Sequence, residues 1–213
     1  MKRLVILGCG GHARVAAEIA ELTGYKEIAF LGPDKSTVAE KGSWSVLGQD
    51  DDETLEGLRA NSTFFVGVGE NVKRANLIRR LLAKDLEVIS LVHPRAIVSS
   101  YSDIGVGTLI CAGAVVTPFV VLGDGTIINT NASVDHDCTL GGAVHIAPGA
   151  ALAADVTLGD CAFVGGGAAV RNGIHIGAGA VVGAGAVVVK DLAEKVTVYG
   201  QRAKLTLGPK ASD

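Results

Sequence analysis

The residues best suited to catalysis are one histidine and the two aspartates that flank it, in the segment 129–138. His136 lies between Asp135 and Asp137. A carboxylate beside an imidazole orients the ring and raises its pKa above about 6.5, which suits a general base near neutral pH. We therefore take His136 as the candidate base. The alternative is a solvated polar corner without a catalytic role, because Asp and Asn are common in turns.

The other histidines of this half of the chain do not have the spacing of a metal site. His145 follows His136 by nine residues, and His175 follows a further 30 residues on. Zinc sites between subunits of repeat trimers use a His-x4-His pair with a third histidine, so no metal site is expected here. The chain also lacks a Gly-x-Ser-x-Gly motif, which leaves a serine nucleophile without support.

A second polar group lies in the glycine-rich turn Gly8–His12. It follows a predicted buried strand, Arg3–Gly8, and precedes a predicted helix, Ala13–Leu22. Such a turn binds phosphate at the helix N-terminus in parallel α/β sheets. Ala13 replaces the third glycine of the dinucleotide fingerprint, which favours a mononucleotide or nucleotide sugar. A purely structural turn is the alternative, and His12 suits either a phosphate contact or a helix cap.

A hexapeptide repeat must position these residues in the second half of the chain. Every sixth residue from Val98 to Val188, sixteen in succession, is Val, Ile or Leu. Chance would give this about once in 10⁹, and neither a helix nor an ordinary strand has this period. We predict short strands joined by corners, three to a coil of 18 residues, in a parallel β-helix. Glycines mark one corner at this spacing: Gly105, Gly123, Gly141, Gly159 and Gly177.

The residues before the repeat alternate between predicted strands and helices. This alternation predicts a small, Rossmann-like parallel α/β sheet of about four strands in residues 1–93, followed by the β-helix and a tail in residues 94–213. The predicted strands are Arg3–Gly8, Glu27–Leu31, Thr63–Val68 and Glu87–Val92, and the helices are Ala13–Leu22, Asp51–Arg59 and one that ends near Ala83.

Composition excludes several classes of protein. A net charge of −3 over 213 residues provides no basic excess, so nucleic-acid binding is not expected. No apolar run approaches the ~18–20 residues of a membrane span, and the N-terminus lacks the pattern of a signal peptide. The four cysteines are far apart, which predicts buried free thiols and a cytoplasmic location.

Seven motifs occur in a fixed order: Gly8-Cys9-Gly10-Gly11-His12, Phe30-Leu31-x-x-Asp34, Val68-Gly69-x-Asn71-x-x-Arg74, Val92-His93-Pro94, Asn129-Thr130, Asp135-His136-Asp137-Cys138 and His145-x-x-Pro148-Gly149. This order resembles the sugar O-acyltransferases of the sialic-acid acetyltransferase type, and most of all the PglD-like and PerB-like nucleotide-sugar N-acetyltransferases. The resemblance implies a left-handed β-helix in a homotrimer. It also implies that acetyl-CoA lies between coils of adjacent subunits, with a nucleotide-linked 4-amino-4,6-dideoxy sugar on the N-terminal domain.

The resemblance also implies roles for individual residues. His136 would be the base and Asp137 its orienting group, although the residues alone leave Asp135 open. His145 would contact the thioester end and Asn129 the sugar or acetyl group. The residues implied to hold the nucleotide sugar are Gly10, Gly11, His12, Asp34, Gly69 and Asn71.

Two small residues are candidates for a cofactor shelf. Ala154 follows His136 by 18 residues, and Gly166 follows Pro148 by the same interval. Small side chains one coil further along would leave room for pantetheine. Relatives that bind uridine often have Phe-Leu-Asp-Asp where this chain has Phe30–Asp34, so the base stays open.

The predicted reaction is direct acetyl transfer from acetyl-CoA to the sugar amine. The coenzyme thiolate is a good leaving group, so no covalent enzyme intermediate is needed, and main-chain N–H groups of the coils would stabilise the oxyanion. Two alternatives remain open at this point: O-acetylation of a sugar such as sialic acid, and a non-catalytic trimer that binds nucleotide sugars.

Overall fold

The N-terminal part of the chain forms a four-stranded parallel sheet flanked by helices. A computed structural model describes residues 2–32 and 44–200, so Asp34 and the segment 201–213 lie outside the described residues. The strand order is β3-β2-β1-β4, and the central strand β1 is almost entirely apolar and buried. The strands are β1 (Arg3–Leu7), β2 (Ile28–Leu31), β3 (Ser45–Gly48) and β4 (Ser62–Val66), and the helices are α1 (Gly11–Leu22), α2 (Asp52–Leu58) and α3 (Asn71–Ala83).

One strand of this sheet was predicted in the wrong place. The segment Glu87–Val92 does not complete the sheet, because only an isolated bridge joins Val88 to Phe64. The fourth strand is Ser45–Gly48, which pairs with β2 and alternates between exposed and partly buried residues. It is a short edge strand, and its weak apolar pattern hid it from the sequence analysis.

The hexapeptide repeat forms a left-handed parallel β-helix of eighteen two-residue strands. They stack into three flat sheets, which we call faces 1, 2 and 3 in the order in which the chain visits them. Face 1 contains β5 (Leu91–Val92), β8 (Leu109–Ile110), β11 (Ile127–Ile128), β14 (His145–Ile146), β17 (Phe163–Val164), β20 (Val181–Val182) and β22 (Thr197–Val198). Face 2 contains β6 (Ile97–Val98), β9 (Val115–Val116), β12 (Ser133–Val134), β15 (Ala151–Leu152), β18 (Ala169–Val170) and β21 (Val187–Val188). Face 3 contains β7 (Asp103–Ile104), β10 (Val121–Leu122), β13 (Thr139–Leu140), β16 (Thr157–Leu158) and β19 (His175–Ile176).

The predicted inward column forms the core of this prism. Each of its residues pairs with the one 18 positions on, as Val134 pairs with Leu152. From Ile110 to Val188 these side chains are at most 5% exposed and pack as one continuous cluster. A bore lined by stacked aliphatic side chains excludes water, which stabilises the coils through burial of apolar surface.

The glycines that recur every 18 residues serve close approach between coils. A Cβ on Gly159 would lie 2.5 Å from the main-chain nitrogen of Ala178, in the next coil. Left-handed backbone occurs instead two residues further on, where Cys161 has φ 58. The glycine column is therefore required by contact between backbones, not by φ.

The α/β domain packs against face 1 of the β-helix. Leu109, Cys111 and Ile127, which point outward from face 1 or its edge, share one buried cluster with Leu4 and Ile6 of strand β1. A common core of this kind holds the two parts of the chain in one arrangement. Within the described ranges, no helix is long and apolar enough to cross a membrane.

Candidate active site

His136 lies at the corner between faces 2 and 3, two residues after the inward Val134. Its Nδ1 is 2.7 Å from Oδ2 of Asp137, and both side chains are more than half exposed. Asp135 has a different contact: its Oδ1 accepts the main-chain N–H of His136 at 2.8 Å and the hydroxyl of Thr117 at 3.2 Å. The geometry therefore favours Asp137 as the carboxylate that orients the imidazole, while Asp135 shapes the corner.

The two carboxylates make His136 more basic. The hydrogen bond to Asp137 raises the pKa of His136, partial burial opposes this, and the charges of Asp135 and Asp137 add to the increase. A carboxylate accepts, so Nδ1 carries the proton in this pair. Nε2 is then the nitrogen that can take a proton from a bound substrate.

A second cluster forms where face 1 meets the α/β domain. His145 Nε2 lies 3.1 Å from Nδ2 of Asn129. The amide of Asn129 is oriented by its Oδ1, which accepts the main-chain N–H of Thr130 at 2.8 Å. Nδ2 therefore donates to His145, whose proton must lie on Nδ1. The His145 ring also contacts Phe163 edge-on at 5.2 Å and lies 6.1 Å from the His12 ring, measured between centroids.

Both histidines of this cluster are neutral near pH 7. Burial lowers the pKa of His145 to about 3, and the positive charge of Arg74 and the nearby His12 add to the shift. Burial and then Arg74 lower the pKa of His12 to about 4. Within the described residues, His12 Nε2 and His145 Nδ1 are buried and lack a hydrogen-bond partner. Such atoms favour a bound polar group, because an unmade buried hydrogen bond is costly.

The α/β domain has a crevice at the carboxyl ends of its strands. The chain leaves β1 toward β2 on one side, while β4 lies on the other side, so the turns after β1 and β4 diverge. This is the place where open α/β sheets bind ligands. Gly8 (φ 106) permits the close approach, because a Cβ there would lie 3.1 Å from the carbonyl oxygen of Gly67. Gln49, Asp50 and Lys73 also line this crevice, whose volume is about 250 Å³.

The start of helix α1 is open toward this end of the sheet. Gly10 is its N-cap and provides no side-chain cap, Gly11 begins the helix, and the first turn has no acidic residue. Helix α3 differs, because the Glu70 carboxylate accepts the N–H groups of Val72 at 2.8 Å and Lys73 at 2.7 Å. Of these two helices, only α1 therefore has its first N–H groups available to an anion.

The predicted cofactor shelf lies on the two edges of face 2. Ala154 is in the corner that holds His136, whose carbonyl accepts the N–H of Asp155 at 3.0 Å. Gly166 is in the opposite corner of the same face, against the carbonyl of Pro148. Between these corners, a depression of about 410 Å³ is lined by small side chains that include Ser133, Ala151 and Ala169.

The candidate residues fall into two groups on different sides of one chain. His136 and Asp137 lie on the corner between faces 2 and 3, which in a triangular cross-section is opposite face 1. His145 lies on face 1, where it meets His12 of the α/β domain. A single chain therefore does not bring both groups to one site, whereas two adjacent copies can do so.

Comparison with known proteins identifies the family. The PglD N-terminal domain model matches residues 3–81. The acetyltransferase domain of PglB from Neisseria gonorrhoeae FA1090 is 37% identical, with a TM-score of 0.88 over 96% of this chain and 99% of that one. The chain belongs to the PglD- and PerB-like sugar acetyltransferases.

Two further members show how far the similarity extends. PerB from Caulobacter crescentus is 38% identical, with a TM-score of 0.87 over 94% of this chain and 95% of its own. The UDP-N-acetylbacillosamine N-acetyltransferase of Bacillus subtilis (strain 168) is 38% identical over 110 residues. That match covers 51% of this chain and 50% of the relative, so it spans only half the length of the curated protein.

One predicted nucleotide contact of this PglD-like chain is committed elsewhere. Asn71 is 8% exposed, and its Nδ2 donates to the carbonyls of Cys161 at 3.0 Å and Ala162 at 3.1 Å. Its Oδ1 accepts from Arg74 at 2.9 Å. Asn71 thus joins the two domains and has no free polar atom for a nucleotide. Gly69 lies in the turn after β4, next to the crevice wall.

The sequence analysis gave no role to Arg74, the most unusual residue near the site. It is 1% exposed and occupies the apolar face of α3, where Asn71, Arg74, Ile78 and Leu81 are buried. A charged residue in the buried stripe of an amphipathic helix is the signal that could have singled it out. In the described part of the chain, no group of three or more His, Cys, Asp or Glu is arranged to hold a metal.

Proposed function

We propose that the protein transfers the acetyl group of acetyl-CoA to the 4-amino group of a nucleotide-linked 4-amino-4,6-dideoxy sugar. The observation that carries the proposal is the exposed His136–Asp137 pair, joined at 2.7 Å on a β-helix corner. Relatives support the substrates: the gonococcal PglB domain has been solved with acetyl coenzyme A, and PerB with CoA and GDP-perosamine.

The chemistry follows from the orientation of the His136 imidazole. Asp137 holds the Nδ1 proton, so Nε2 takes a proton from the sugar amine as its nitrogen attacks the thioester carbonyl. A C–N bond forms, and collapse of the tetrahedral intermediate breaks the C–S bond. The proton on Nε2 then passes to the departing thiolate, which yields an amide and free CoA without a covalent enzyme intermediate.

Acetyl-CoA would lie along face 2 between two subunits. In our proposal the corner with His136 and Ala154 of one subunit faces the corner with Asn129 and Gly166 of the next. This arrangement places the acetyl group near Asn129 and His145 of the second subunit. Because its Nε2 already accepts from Asn129, His145 can offer only its Nδ1–H to a ligand.

The nucleotide of the sugar would occupy the crevice of the α/β domain. The N–H groups of Gly10 and Gly11 at the start of α1 suit the diphosphate, since no side chain caps this helix. His12, Asp34 and Gly69 complete the proposed nucleotide contacts. A cytoplasmic location remains a prediction alongside this function.

Exposed apolar side chains support a homotrimer with face 2 and its corners at the interface. Ile97 and Val187 on face 2 are 69% and 72% exposed. Tyr101 and Phe119, at the corner that holds His136, form an exposed ring pair with centroids 5.9 Å apart. Exposed apolar residues clustered in this way mark protein interaction surfaces.

A substrate panel tests the proposed activity. Thiol release from acetyl-CoA would be measured with UDP-, GDP- and dTDP-linked 4-amino sugars, and with free sialic acid. We expect turnover with at least one nucleotide-linked amine and none with sialic acid. Turnover with the free sugar alone would overturn the proposal in favour of O-acetylation, and no turnover with any sugar would favour a binding role.

A further inference from the structure

Arg74 is a fully buried cation whose donors are all used. Nε donates to the carbonyl of Gly125 at 2.7 Å, and Nη1 donates to those of Val68 at 3.2 Å and Gly69 at 2.9 Å. Nη2 donates to Oδ1 of Asn71 at 2.9 Å and to the carbonyl of Ala143 at 2.8 Å. A guanidinium has five N–H donors, so none is left without an acceptor.

The charge of Arg74 is balanced by main-chain dipoles. Among the described residues, no carboxylate lies within ion-pair distance of its guanidinium. Burial lowers the pKa of Arg74 only to about 10, so the group stays charged at neutral pH. A buried cation held by carbonyl oxygens is costly to desolvate, and simple packing at this position would be better served by an apolar residue.

The acceptors of Arg74 belong to two separate parts of the molecule. Val68 and Gly69 form the turn after β4, which is one wall of the nucleotide crevice. Gly125 and Ala143 lie in successive coils at the corner between faces 3 and 1, and Ala143 comes two residues before His145. Through Asn71 the same network reaches the next coil, at Cys161 and Ala162.

We propose that Arg74 is a positioning residue that holds the nucleotide-binding turn Gly67–Glu70 at a set place relative to the β-helix coil that carries His145. This inference rests on the proposed function, because it assigns the two sides of the contact to the two substrates. It explains why the position holds arginine. The planar fork reaches both groups of carbonyls at once, whereas a lysine ammonium has three donors at a single point.

The test compares Arg74→Lys and Arg74→Met with Arg79→Met, an exposed arginine on the same helix. The proposal predicts that Arg74→Lys raises the KM for the nucleotide sugar by about 10-fold or more and lowers kcat, because a turn displaced by even 1 Å misaligns the amine. The KM for acetyl-CoA should change less than about 2-fold, since CoA does not contact the displaced turn. Arg79→Met should match the parent protein.

A second measurement does not depend on activity. Hydrogen exchange in peptides that cover Gly67–Glu70 should become faster in Arg74→Lys and stay unchanged in Arg79→Met. Equal rises in both KM values, or normal kinetics with only a lower melting temperature, would overturn the positioning role. If the parent protein acetylates no nucleotide sugar, the proposed function fails, and unchanged exchange in Arg74→Lys would then reject the positioning role separately.

Discussion

At the scale of single residues, the histidines near the proposed site divide by environment. His136 is exposed beside two carboxylates that raise its pKa, whereas burial and Arg74 lower the pKa values of His12 and His145 to about 4 and about 3. Only His136 can exchange a proton near neutral pH with a substrate at the surface. The other two are suited to hydrogen bonding as neutral rings.

Replacement of His136 should remove most of the activity without unfolding the protein. We expect His136→Gln to lower kcat/KM by about 10²-fold or more, the usual contribution of a general base. The matched control is His175→Gln, an exposed histidine on face 3. Steady-state thiol release from acetyl-CoA measures both variants, and parent-like kinetics in His136→Gln would remove the base assignment.

Removal of the Asp137 charge should shift the pH profile. The base acts in its neutral form, so kcat/KM falls as the pH drops through the pKa of His136. Asp137 raises that pKa, and Asp137→Asn should therefore move the acidic limb of the profile to lower pH, while Asp135 keeps part of the increase. Asp155→Asn, one coil further on, is the control. An unmoved limb would contradict the pairing, as would a limb at higher pH.

At the scale of elements, the β-helix depends on close contact between its coils. A Cβ on Gly159 would lie 2.5 Å from a backbone nitrogen of the next coil, whereas a Cβ on Gly142 would meet nothing closer than 3.7 Å. The two glycines occupy the same type of corner. Their difference therefore isolates the effect of contact between backbones.

We expect Gly159→Ala to lower the free energy of unfolding by about 1–3 kcal/mol, the usual cost of forcing extra volume into a packed region. Gly142→Ala should change it by less than about 0.5 kcal/mol. Denaturant melts followed by circular dichroism at one protein concentration would measure the pair. Equal destabilisation by both substitutions would show that space between coils is not the constraint.

At the scale of the whole molecule, the proposed site needs two chains. His136 is on the corner opposite face 1, where His12 and His145 meet. If neighbouring subunits share the site, a His136→Gln chain and a His12→Ala chain damage different halves of it. A mixed trimer can then contain an intact site built from the undamaged half of each.

Mixed trimers should therefore recover activity that neither variant has alone. The two variants would be co-expressed with different tags, purified through both tags and assayed for thiol release. We expect activity well above that of either parent trimer, and a trimeric mass by light scattering. Hybrids as inactive as their parents would contradict a site between subunits, and a monomeric mass would contradict the assembly itself.

The sequence alone determined the β-helix, its core column and the candidate base. A period of six repeats one local contact between residues 18 apart, so each coil specifies the next. Contacts across the fold decided the rest. Asp137 rather than Asp135 meets the imidazole because the corner turns left-handed at Asp137 (φ 63). Arg74 reaches Ala143, 69 residues away, through a domain contact that no local pattern encodes. The division of the site between two sides of the chain likewise follows only from the closing of the prism.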